Sequence, residues 1–94
     1  MTRQELEKAK IAGPVHGIGL DNEDGHVRIT KMENFRLLGG SQETHEHMQE
    51  KALKFNERLK KHDKRVTDLN VKQFVEIAGE VGMIEPRAEP EPNP

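Results

Sequence analysis

Ninety-four residues, 32 % hydrophobic and 34 % charged, make one domain with a modest core and too little apolar mass for two. Fifteen basic against seventeen acidic side chains leave a formal charge of −2, so there is no global attraction to nucleic acid or to an anionic membrane, and neither is an expected partner. The lack of cysteine excludes disulfides and thiolate metal sites and makes a reducing cytoplasm the expected location, while no run approaches the roughly eighteen apolar residues of a membrane span.

Residues 1–14 read as a flexible arm. Thr2 and Glu5 have capping-box spacing, but Leu6, Ala9 and Ile11 offer little apolar face, and Gly13-Pro14 ends any helix. Residues 15–84 form the domain. Alternation in VHGIGL and HVRITKM around DNEDG predicts a β-hairpin, with Leu20 beside Val27 and Ile18 beside Ile29 on the core face. Asp21 then falls opposite His26, Gly25 takes the left-handed position of the loop, and Gly17 and Gly19 make the other face flat enough to admit a close neighbour. A third strand over residues 34–38, joined through Met32-Glu33-Asn34, places Phe35 beside Lys31 and Leu37 beside Ile29.

Gly39 and Gly40 turn the chain, and Ser41 caps a helix reaching His62. Its seam is narrow: His45, Met48, Ala52, Phe55, Leu59 and His62 recur at steps of three and four. At 1.5 Å per residue this helix spans about 33 Å, more than a small sheet covers. Met48, Phe55 and Leu59 therefore need a further cover, either a second helix or a partner. The second helix is predicted over residues 71–81, with Asn70 and Gln73 as a capping box, Leu69 stapling to Phe74, and Val71, Phe74, Val75, Ala78 and Val81 as its buried face. Gly82 ends it. Residues 85–94, EPRAEPEPNP, read as a disordered acidic tail. The expected fold class is α+β, a three-stranded antiparallel β-meander followed by two helices packed on one sheet face.

Candidate chemistry is sparse. Gly39, Gly40 and Ser41, with Thr44 and His45, form a helix start whose amides suit an anion or small ligand, with Ser41 and His45 as a conceivable hydrolytic pair that lacks a third, orienting group. Arg58, Lys60, Lys61, Lys64 and Arg65 make a basic patch without aromatic residues to stack on bases, and cations there also complement the helix dipole. Glu43, His47 and Glu50 share a helix face but read as a solvated acidic turn, so neither a metal nor another cofactor is expected. The loop DNEDG fails the EF-hand spacing, since with Gly25 as the sharp-turn glycine the first and last ligand positions fall on Leu20 and Lys31. The leading expectation is a small non-enzymatic interaction module, with self-association through the long helix or a sheet edge as one form. Anion or ligand binding at Gly39-Gly40-Ser41 is the alternative.

Overall fold

A computed structural model describes residues 2–84 as an α+β fold in which a three-stranded sheet and two main helices pack together. The elements run α1 (Arg3–Lys8), β1 (Val15–Gly19), β2 (Ile29–Met32), β3 (Phe35–Gly39), α2 (Gln42–Lys61), a 3-10 turn (Val66–Asp68) and α3 (Val71–Glu80). The acidic tail of residues 85–94 lies outside the described residues.

The sheet is mixed, which corrects the antiparallel meander. Its order is β1-β3-β2, with β3 in the centre, parallel to β1 and antiparallel to β2. The expected hairpin between β1 and β2 does not form: Ile18 lies beside Leu38 instead of Ile29, and Leu20 and Val27 sit exposed outside the strands. The cause lies in the connecting loop, whose polar groups bind elsewhere. Asp21 is not paired with His26; its carboxylate accepts hydrogen bonds from Ser41 and Thr44 at the start of α2. Asp24 takes a two-point contact from the Arg28 guanidinium, and Asn22 Oδ1 accepts from the amides of Asp24 and Gly25. Held in this way, the loop spaces β1 from β2 by two strand intervals, about 10 Å, and β3 fills the gap.

The second correction is one residue of register. The turn between β2 and β3 has two residues, Glu33 and Asn34, so that Met32 faces Phe35, Lys31 faces Arg36, Thr30 faces Leu37 and Ile29 faces Leu38. Asn34 adopts the positive φ expected of it, 67°. Its side chain fixes the turn by donating to Asn56 Oδ1 at 2.9 Å and accepting from the Val66 amide at 3.2 Å. A slip of one residue exchanges faces. Ile29 is thereby turned to the outer face beside Leu38, where the parallel register of β1 adds Ile18 to make a row, while Phe35 and Leu37 remain inside.

The helices follow their local signals. Ser41 accepts from the Thr44 amide, and Asn70 and Gln73 complete a reciprocal capping box. The end of α3 is a Schellman turn, with Gly82 at φ 78° and the Met83 amide bonded to the Ala78 carbonyl at 2.8 Å. Along α2, Ala52, Phe55 and Leu59 are buried and Met48 is half-buried; Phe55 stands edge-on to Phe35 and tilted to Phe74, with centroids 5.4 and 5.1 Å apart. Val66, Leu69, Ala78 and Val81 complete this core, so the chain itself covers the middle and end of the seam. On α3 Ile77 turns inward, and Val75, expected inside, is 44 % exposed. The N-terminal segment carries α1, capped by Thr2, and lies against the start of α3 through bonds from the Ile11 amide to Leu69 and from the Val71 amide to Ala9.

Candidate functional site

The helix start at Gly39-Gly40-Ser41 is well built, and it already holds an anion of its own. Both glycines have positive φ, 76° and 83°, and Gly40 packs so closely on Gly19 that a Cβ at residue 19 would lie 2.6 Å from the Gly40 Cα. This close approach needs glycine. The Asp21 carboxylate then sits over the turn, accepting from the Ser41 amide at 3.0 Å, the Ser41 hydroxyl at 3.0 Å and the Thr44 hydroxyl at 2.6 Å. These bonds, Thr44 first, hold its pKa at about 2. A carboxylate supplied twenty positions upstream thus occupies the place proposed for a ligand.

His45 is brought to the same end of α2 but does not face Ser41. Its Nδ1 meets the Gly39 carbonyl at 2.9 Å and its Nε2 meets the Thr30 hydroxyl at 2.8 Å. A carbonyl only accepts, so Nδ1 carries the proton there; Gln49 donates to Thr30 at 2.9 Å, which directs the Thr30 hydroxyl proton onto Nε2. The imidazole is 95 % shielded and fully engaged in tying β2, β3 and α2 together. Its partners leave no nitrogen for Ser41 chemistry.

The five residues of the basic patch are dispersed among acids. Arg58 pairs with Glu80 of α3, and Lys60, Lys64 and Arg65 border a polar hollow together with Glu33, Asp63 and Asp68. Lys61 lies on the other side, beside Glu57 and Arg58. Among the described residues, no three His, Asp or Glu side chains are grouped to hold a metal ion.

Among the described residues β1 and β2 are both outer strands of the sheet, and the edge of β1 is the one flanked by hollows on each side. In its parallel ladder the Val15 amide donates to Asn34 at 2.8 Å, so Val15, Gly17 and Gly19 turn their amides and carbonyls towards β3. His16 and Ile18 turn theirs outward, to an edge that no strand covers among the described residues. Each flank of this edge is hollow. On the helix side a groove of about 310 Å³ has Val15, Phe35, Leu37, Met48, Phe74 and Met83 as its apolar lining and His16, His47 and Lys51 as its polar groups. On the outer side a hollow of about 410 Å³ runs over Ile18, Leu38 and Ile29, bordered by His16, Arg36 and Lys31. Ile18 and Ile29 are 62 % and 63 % exposed.

The outer face is therefore ordered in two rows across the strands, aliphatic Ile18-Leu38-Ile29 and basic His16-Arg36-Lys31. Sequence reasoning singled out none of these residues as a site, because the apolar alternation of Ile18 with Leu20 assigns Ile18 and Ile29 to the core face. Gly17 was the available signal, since only a small residue fits beneath Leu37 and Met48. Of the expected interaction residues, Phe55 and Leu59 are core, and Met48 alone reaches this groove. Among the described residues no helix is long and apolar enough to cross a membrane. Comparison of the chain with family models, curated proteins and solved structures finds no significant match.

Proposed function

We propose that the chain is a non-enzymatic interaction module of the cytoplasm that takes up an extended segment of a partner along the open edge of β1. One observation carries this reading: the outward amides and carbonyls of His16 and Ile18 lie between two apolar hollows. An added strand gains main-chain bonds from such an edge, and its alternate side chains enter the hollows on either flank. The long helix is a weaker candidate, because Phe55 and Leu59 are spent on the core. The Gly39-Gly40-Ser41 turn is weaker still, because Asp21 takes the Ser41 and Thr44 donors.

The test is site-specific photo-crosslinking in the native cell. A benzophenone side chain at Ile18 is expected to trap a partner, and the same group at Glu57, exposed on α2, is not. Equal trapping at both positions, or none at Ile18, removes the edge as the binding surface.

A further inference from the structure

We infer that the segment taken up along β1 is acidic as well as apolar, an extended peptide whose carboxylates meet the cations around this edge. The inference rests on the edge reading above and adds the chemistry of the partner. In a chain of net charge −2, every ionisable side chain lining the two hollows among the described residues is basic or an imidazole: His16, His47 and Lys51 on the helix side, His16, Arg36 and Lys31 on the outer side. Next to Lys51 in the chain, the Glu50 carboxylate is engaged with Lys54 at 3.1 Å. On the outer side Arg36 donates, among the described residues, to the main-chain carbonyls of Met32 and Phe35 through one nitrogen. Apolar floors with cations at the rim select a partner by opposite charge.

A second copy of the chain does not meet this requirement. Two β1 strands paired about a two-fold axis at Gly17 would set His16 against Ile18 of the other copy and bring two sets of Lys51 and Arg36 together, with no carboxylate supplied by either strand. The chain's own residues 85–94 are acidic and follow Ile84, which lines the inner groove. Their four prolines lack the amide a ladder requires, and Ala88 is their only non-proline apolar side chain.

The experiment is amide shift mapping of the full chain with three blocked hexapeptides. The first alternates valine with glutamate, the second replaces glutamate by lysine, and the third is the first with alternate amides N-methylated. The acidic peptide is expected to shift and protect the amides of His16 and Ile18, to bind about tenfold more tightly than the lysine peptide, and to weaken in high salt. N-methylation should abolish binding. Lys51→Glu should narrow the preference for the acidic peptide, with Lys51→Gln as the milder variant should the first fail to fold. Equal binding of acidic and lysine peptides overturns the inference and leaves the edge standing. No response at His16 and Ile18 to any of the peptides overturns both. Shifts at β1 that follow protein concentration and ignore peptide assign the edge to a second copy and overturn the acidic partner.

Discussion

Asp21 shows how one side chain can convert an apparent ligand site into part of the scaffold. Its carboxylate accepts from Thr44 and Ser41, which lowers its pKa from 3.8 to about 2 against the opposing effect of desolvation. A depressed carboxylate stabilises the folded state fully above its unfolded value and loses that contribution as pH falls towards the folded one. The difference in urea midpoint between the wild type and Asp21→Asn should therefore be constant from neutrality to about pH 5 and close between there and about pH 2. Asp24 is also held below the usual range, by the Arg28 guanidinium, but it titrates in both proteins and cancels in the comparison. Thr30 has the same importance on the other side of the turn. Replacing it by valine removes the acceptor of Gln49 and the donor to His45 Nε2, leaving a buried imidazole nitrogen unpaired. Thr30→Val should cost about 1–3 kcal/mol in equilibrium unfolding.

Among the elements, α2 joins the central strand of the sheet to α3 through Phe55. The ring is fully buried between Phe35 of β3 and Phe74 of α3. Phe55→Ala should cost about 3–5 kcal/mol, a large share of the roughly 5–15 kcal/mol that stabilises a small domain, read as a lowered urea midpoint. The helices were legible in the sequence because their signals are local: Ser41 as cap, Asn70 with Gln73, Gly82 as terminator, and a seam at steps of three and four. Strand order was not, because pairing depends on contacts distant in sequence. β1 offers two inner sets, Ile18 with Leu20 or Val15 with Gly17, and apolarity favours the first. Packing selects the second: Leu37 and Met48 fill the space over Gly17, where even a Cβ would come within 2.9 Å of Leu37 Cδ2 and 3.3 Å of Met48 Sδ. The site was hidden for the same reason, since its basic and aliphatic rows exist only once β3 lies between β1 and β2.

At the scale of the whole molecule, the apolar surface is unevenly distributed. The middle and end of the α2 seam are covered by the sheet, the 3-10 turn and α3, yet three aliphatic side chains stand in line across the opposite face of the sheet. Leu38 at 47 % exposure, between Ile18 and Ile29, contributes little to the folding of a single chain. The double variant Ile18→Thr with Ile29→Thr retains β-branched side chains suited to strands and removes much of the row. Its unfolding free energy should stay within about 0.5 kcal/mol of the wild type, because surface substitutions away from packed features rarely exceed this. Its affinity for the acidic hexapeptide should fall, because the peptide's outward side chains lose their apolar neighbours. Unfolding and peptide titration of the same preparation check both. A loss of stability well beyond that range would mean that the row is buried in the isolated protein, and the outer hollow would then be unavailable to any partner.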